Sequence, residues 1–366
     1  MSPRTKPPFR ADHVGSLLRP AALKEAREKF AKGALDAANL KAIEDREIEK
    51  VVRKQEEIGL QLATDGEFRR SWWHFDFFRG LQGVEMISAP PIKFHGVETK
   101  AEAIKITGKI GFAGHPMLEH FKFLKAHCRV TPKMTIPAPS TFHFRQGRAM
   151  VSKEVYPDLD AFFADVANAW KQAIRAFYDA GCRYLQIDDT AWAMMCDPKE
   201  REHSRARGDD PDKLPAIYRE VTNTALSGKP ADMTMTMHSC RGNFRSTFIA
   251  SGGYEPVADA LFNRVNVDGY FMEWDTDRAG GFEPLRFLPK GKTVVLGLIT
   301  SKTGGIEKKD DLKRRIDEAA KYAPIEQLCL SPQCGFASTE EGNTLAEDEQ
   351  WRKLELAVET AREVWN

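Results

Sequence analysis

The stretch DMTMTMHSC, residues 232–240, is a short apolar run that ends in a histidine and a cysteine. A buried parallel strand delivers side chains in this way, at its C-terminal tip. Three further segments follow the same plan. GYFMEW (269–274) carries Glu273 at its end, TVVLGLI (293–299) is apolar almost throughout, and EQLCLSP (326–332) runs up to Cys334. Toward the N-terminus, RYLQIDD (183–189), KMTIPAPS (133–140), GLQLATDGE (59–67) and DHVGS (12–16) read as four earlier strands. Helical stretches lie between them: about Asp36 to Ile58, residues 159–181 with Gly181 as C-cap, residues 308–323, and a last one from about Ala346 to Val364.

Eight strands in βα alternation predict an α/β fold, a (β/α)8 barrel forming one domain over residues 1–366. A doubly wound open sheet alternates too, but HVGSLLRP lacks the G-x-G-x-x-G turn such a sheet would carry. Residues 90–131 are too many for a plain βα connection. They read as an inserted hairpin plus helix over the barrel mouth, either a substrate lid or a surface elaboration.

A barrel of this kind gathers its strand tips around one axis, and the polar residues cluster at those tips. His238, Cys240, Glu273 and Cys334 offer an imidazole, two thiolates and a carboxylate. That is a tetrahedral set suited to Zn²⁺. Each residue alone also reads as a buried side chain with no ligand; the metal reading rests on three strand ends offering zinc ligands together. Zinc lowers the pKa of a bound thiol, so a substrate thiolate persists at neutral pH and attacks an electrophilic carbon. Two thiolates and a carboxylate exceed the charge of Zn²⁺ by about one unit, which favours S-alkylation over hydrolysis. Glu273 is the ligand most easily released.

Glu67 and Asp188, at the ends of the second and fourth strands, are placed to hold the ammonium of an amino-acid substrate. Gly15 and Ser16 offer backbone N–H groups and a hydroxyl to its carboxylate. Asp189 as a helix cap and Asp65 as a turn acceptor are structural readings of the neighbouring acids. Arg69-Arg70 and Trp72-Trp73-His74 suit either a charged aromatic donor or a solvated turn beside core tryptophans.

The formal net charge of +1 leaves no field to hold nucleic acid or an anionic membrane. The N-terminus has no apolar signal segment, and no run approaches the length of a membrane span, so the cytoplasm is expected. Six cysteines spread over 366 residues are not a disulfide framework. Cys128, Cys182, Cys196 and Cys329 read as free, mostly buried thiols.

The motifs HVGS, TDGE, IPAPST, QIDD, MHSC, FMEWD and SPQCG occur in an order that resembles the catalytic barrel of the cobalamin-independent methionine synthase family, in a short single-barrel form. The resemblance runs from about Asp12 to the end. It implies zinc-dependent methyl transfer from a 5-methyltetrahydrofolate-type, polyglutamylated donor to the thiol of homocysteine, giving methionine. It also implies zinc on His238, Cys240, Glu273 and Cys334, the homocysteine amino group on Glu67 and Asp188, and its carboxylate on Gly15 and Ser16. His143 and His74 are candidates to protonate the leaving nitrogen of a folate donor. The family's D-E-P-A is Asp188-Asp189-Thr190-Ala191 in this chain, and STFHFRQG (140–147) lacks the tryptophan expected near the folate. The short form also resembles zinc enzymes that alkylate coenzyme M, including epoxyalkane:coenzyme M transferase, so another thiol or donor is the alternative.

Overall fold

The computed structural model describes residues 4–100, 102–145 and 147–365. Its centre is a run of parallel strands in simple neighbour order: β7 (Met134–Pro137), β8 (Tyr184–Asp188), β9 (Thr234–Ser239), β10 (Gly269–Glu273), β11 (Thr293–Ile299) and β12 (Leu328–Pro332). β6 (Thr131–Pro132) leads through Lys133 into β7 and pairs in parallel with β1 (Leu62–Ala63). At the other edge Ala11 bridges to Leu330 of β12. Eight passes of chain thus follow one another in the order of a (β/α)8 barrel, the first two joined to the six-stranded sheet by the Ala11 bridge and by β6.

The seam between the first and second passes differs from the predicted strand over residues 12–16. Beyond Ala11 this segment makes no ladder among the described residues. Its carbonyls are instead taken by side chains: Lys133 Nζ donates to His13 O (2.5 Å), Gln186 Nε2 to Val14 O (2.9 Å) and Thr64 Oγ1 to Gly15 O (2.6 Å). Gly15, at φ +145°, has left the geometry of a paired strand. The floor of the barrel holds a buried ion pair, Lys133 Nζ to Asp12 Oδ1 at 3.2 Å, with Tyr184 donating to the other Asp12 oxygen at 2.9 Å.

Period-2 alternation sorts the strand residues. Tyr184, Phe271, Val295 and Cys329 join Phe9, Val14 and Leu62 in one small cluster inside the barrel. Their neighbours Leu185, Ile187, Tyr270, Met272, Val294, Leu296, Leu328 and Leu330 belong to the larger core shared with the outer helices. Helix Leu159–Asp179 shows how that layer docks. Asp158 caps it by accepting from Ala161 N, Phe162, Val166, Trp170 and Ile174 are buried, and Trp170 Nε1 donates to Pro137 O at 2.7 Å. Helix Ala37–Glu57 is capped in the same way by Asp36.

Several predicted boundaries move, the second strand shrinking from residues 59–67 to Leu62–Ala63. The third strand ends at Pro137, because Pro139 opens a short helix, Pro139–Phe144, in the first-turn position that tolerates a missing N–H. The excursion starts earlier than residue 90 and ends before 131. It comprises β2 (Gln82–Ser88) paired antiparallel with β5 (Glu102–Gly111), a small hairpin of β3 (Lys93–Phe94) and β4 (Val97–Glu98), and helix Met117–His127. Thr131 is already in the barrel. No helix among the described residues is long and apolar enough to cross a membrane.

Candidate active site

The tips of β8, β9 and β12 and the turns after them meet in one pocket. Its wall includes Ser16, Glu67, Asp188, His238, Cys240 and Cys334. The convergence is tied down by hydrogen bonds between the turns. Asn243, three residues after Cys240, donates to Gly335 O (2.8 Å) and to Ser338 Oγ (3.0 Å), and Asn343 donates to Asn243 Oδ1 (3.0 Å) and Ser301 O (2.7 Å). Phe336 N donates to Ser16 O, and Gly335 packs so closely on Ser16 that a Cβ there would lie 1.9 Å from Oγ.

Cys240 Sγ and Cys334 Sγ are 3.7 Å apart, and the two sulfurs lie with a His238 ring nitrogen within 4.8 Å of one another. All three residues are buried. His238 Nδ1 sits 3.2 Å from Phe271 O, a contact that assigns the proton to Nδ1 and leaves the Nε2 lone pair free. Nε2 is buried and has no hydrogen-bond partner among the described residues. The hydrogen bond from Cys334 holds the Cys240 thiol well below the usual range, aided by His238, and the same contact pushes Cys334 up. Burial disfavours the His238 cation, but the Cys240 sulfur outweighs it and the imidazole pKa is raised.

These donors fit a zinc ion. Two sulfurs each about 2.3 Å from a tetrahedral centre are separated by about 3.8 Å, and the observed spacing is 3.7 Å. Glu273 reaches its strand tip, fully buried, but is not one of this trio. Its Oε2 accepts from Arg241 N at 2.7 Å and its Oε1 is bonded by Arg278. Burial pushes its carboxyl pKa up, yet Lys302, Arg278 and Arg241 together bring it below the usual range.

The predicted substrate residues are also brought together, with different freedom. Asp188 lines the pocket and is oriented by Gln186 Nε2 on Oδ1 at 2.7 Å; burial raises its pKa despite nearby His238. Glu67 shares the wall, but its carboxylate accepts from Thr135 Oγ1 (2.6 Å) and is ion-paired with Arg70, whose guanidinium also donates to Ser338 O at 2.6 Å. Gly15 lies directly against Glu67. Asp65 and Asp189 take their structural roles, accepting from Glu67 N (2.8 Å) and Ala191 N (3.0 Å).

The structure does not bring His74 or His143 to the pocket wall. His74 is packed among Trp72, Trp73, Phe75 and Phe78, and burial takes its pKa well below the ordinary value. His143 Nδ1 pairs with Tyr218 OH at 2.9 Å, its ring lies near Phe163, and burial lowers it to about 4. The wall contains residues the sequence did not single out: Phe94 from the β3–β4 hairpin, Arg145, Asn243 and Ser338. Asn243 and Ser338 follow the two cysteines at three and four residues, a signal that was available. Phe94 carries none, and Arg145 is marked only by lying in the stretch STFHFRQG (140–147).

Comparison with known proteins agrees with this architecture. Residues 9–110 and 147–363 match the family described as cobalamin-independent synthase, catalytic domain, and the chain belongs to that family. It is 54% identical to the uncharacterized protein YxjH of Bacillus subtilis, with 98% of this chain and 96% of that protein covered. It is 25% identical to a methionine synthase of Pyrococcus abyssi over 78% of this chain and 74% of that protein. The crystal structure of a putative vitamin-B12 independent methionine synthase from Listeria monocytogenes superposes with a TM-score of 0.80 at 41% identity, covering 99% of this chain and 100% of that one. By its family the chain is an enzyme, a transferase of the methyltransferase kind.

Proposed function

We propose that this protein is a zinc-dependent thiol S-methyltransferase that methylates homocysteine to methionine, with 5-methyltetrahydrofolate in its polyglutamyl form as donor. One observation carries the reading: two cysteine sulfurs 3.7 Å apart and an unpartnered histidine nitrogen line the same pocket as a buried carboxylate, Asp188. The methionine synthase names of the relatives agree with it.

His238, Cys240 and Cys334 would hold the metal, and Glu273 would complete the set on leaving Arg278. Bound zinc supplies the Lewis acidity that keeps a substrate thiol ionised at neutral pH. Asp188 accepts the ammonium of the amino acid, held in aim by Gln186. Ser16, fixed by Gly335, presents its hydroxyl to the carboxylate. Glu67 assists only in part, because Arg70 already neutralises it. Trp73 and Phe94 add apolar surface to the wall of the same pocket. We assign neither His74 nor His143 the role of acid: both are off the wall and burial keeps both neutral.

The pairing of Glu67 with Arg70 also favours a second reading, an alkyltransferase for a thiol without an ammonium, such as coenzyme M. Zinc-loaded protein incubated with homocysteine and polyglutamyl 5-methyltetrahydrofolate, followed by mass spectrometry, is expected to yield methionine. Asp188→Ala should raise KM for homocysteine about 10-fold or more, the order of one lost charge-assisted hydrogen bond. Cys240→Ser and Cys334→Ser should lose both zinc and turnover while remaining folded. Full zinc occupancy in both serine variants would refute the ligand set. No methionine from zinc-replete protein would refute the substrate pair, and an unchanged KM in Asp188→Ala would favour the thiol without an ammonium.

A further inference from the structure

Two guanidinium groups face the pocket, and they differ in how they are engaged. Arg70 is ion-paired with Glu67 and hydrogen-bonded to Ser338 O. Arg145, at the end of helix Pro139–Phe144, has no carboxylate partner among the described residues. Its Nε is buried and makes no hydrogen bond, and its guanidinium carbon stands 5.6 Å from the centre of the Trp73 ring. The negative groups nearest in effect, Cys240 and Glu200, act on it only through space. A guanidinium does not deprotonate in a protein, so desolvating it without an anion is costly. Beside an indole, with its Nε unpartnered, it is placed to receive a planar oxyanion.

We propose that Arg145 is a binding residue for a carboxylate carried by one of the two substrates, seated over Trp73 at the pocket wall. The assignment rests on the thiol-methylation reading above. Two sources share this chemistry. An amino-acid thiol has three recognisable groups, and the wall offers the thiol pair, Asp188 and Arg145 to match them. A folate-type donor brings carboxylates of its own from the side of the mouth. Both place a carboxylate in a pocket whose remaining acids would repel it, and Arg145 is the wall's one cation not already paired, among the described residues.

The test pairs a variant with a ligand that lacks the carboxylate. Binding of homocysteine, 3-aminopropane-1-thiol, 5-methyltetrahydrofolate and a 5-methyltetrahydropterin without the glutamyl tail is measured calorimetrically on zinc-loaded wild type, Arg145→Met and Arg145→Lys. Arg145→Met should weaken one carboxylate ligand about 10- to 100-fold, the range for a lost hydrogen bond to a charged group. The matching carboxylate-free ligand should change less than about 2-fold, which also shows that the variant is folded. Arg145→Lys should fall between, since the charge remains and the fork does not. Coupling to homocysteine assigns the acceptor; coupling to the folate assigns the donor. Equal weakening of the paired ligands, or no weakening, overturns the proposal. A separate titration removes dependence on the thiol reading: methanesulfonate, a bare oxyanion, is added to the metal-free protein while the Trp73 indole N–H resonance is followed. The resonance should move in wild type and not in Arg145→Met. A stationary Trp73 resonance in wild type would overturn the anion site even if homocysteine binds, and a moving one would sustain it even if no methionine is ever formed.

Discussion

Replacing Gly15 by alanine would test the link between the first strand and the substrate carboxylate. A Cβ at this position would lie 2.5 Å from Glu67 Oε1 and 2.9 Å from Thr135 Cγ2, both inside any normal contact. The backbone there is at φ +145°, a conformation nearly confined to glycine and costing other residues about 1–3 kcal/mol. Overpacking adds about 1–3 kcal/mol. The sum is about 2–6 kcal/mol. For 366 residues at about 2.1 cal/mol/K each, that lowers Tm by about 3–8 °C. The new methyl also drives the Glu67 oxygen off Thr135 Oγ1, so the carboxylate moves relative to Asp188 and Arg70. KM for an amino-acid thiol should rise while zinc content stays full. Scanning calorimetry and steady-state kinetics read the two effects separately. Thr135→Ser keeps the hydroxyl on Glu67 and removes the clashing methyl, so Gly15→Ala/Thr135→Ser should recover part of the Tm. A single Gly15→Ala variant with unchanged Tm and KM would refute the argument.

Two further outcomes follow from buried charge. Breaking the floor ion pair with Lys133→Met leaves Asp12 charged and fully buried, at a cost of about 3–5 kcal/mol in urea unfolding; Asp12→Asn/Lys133→Met should regain most of it, and a single variant as stable as wild type would show that the pair does not hold the first strand. Acid should destabilise the fold through His13 and His143, which burial lowers from 6.5 to about 3 and about 4. Their folded pKa values lie below the unfolded ones, so the unfolded chain binds more protons and stability falls as pH drops below about 6.5. Asp189, raised by burial to about 6, opposes this by taking up a proton in the folded state. These three groups alone change stability by a loss of about 2–3 kcal/mol between pH 7 and pH 5. His74 acts in the same direction as the other two histidines. His143→Gln should flatten the urea midpoint against pH; a His143→Gln profile identical to wild type would contradict it.

The strand tips were legible because burial and function leave the same mark on a parallel strand: an apolar run closed by one polar residue. That pattern located His238, Cys240, Cys334 and Asp188, and the barrel brings them to one pocket. The first strand was legible as a pass of the barrel but not as an irregular one, since its carbonyls are satisfied by Lys133, Gln186 and Thr64, side chains far along the sequence. The excursion's start was missed because QGVEMIS (82–88) shows exposed and half-buried positions in turn, a weak signal for a ribbon lying on a larger surface. Phe94 was not legible at all, and Arg145 only as a member of the stretch STFHFRQG (140–147) that the resemblance sets near the donor. One arrives from the tip of that ribbon and the other from a helix end, and neither has a spacing to the cysteines that a pattern could reveal.

Counting charges along the strand tips gives two thiolates and a carboxylate, one unit more than Zn²⁺ would balance. The structure changes that sum, because Glu273 is already surrounded by Arg278, Arg241 and Lys302, all contributed by turns after the strands. Whether Glu273 could still serve as a ligand depends on which interaction is larger. Parting a buried carboxylate from its cation costs about 3–5 kcal/mol, whereas structural zinc sites bind with about 10–16 kcal/mol overall, so coordination would win if one ligand carries even a third of that. The cost is further reduced by Asp275. Its Oδ1 lies 3.3 Å from Arg278 Nη2 and its Oδ2 is buried without a hydrogen-bond partner among the described residues, so Arg278 has a second carboxylate to turn to. A ligand with a nearby alternative cation, and a cation with an alternative carboxylate, can exchange at small net energy. That is the physical content of the expectation that Glu273 is the weakest-held member of the set, and it follows from loop residues that strand periodicity does not reveal.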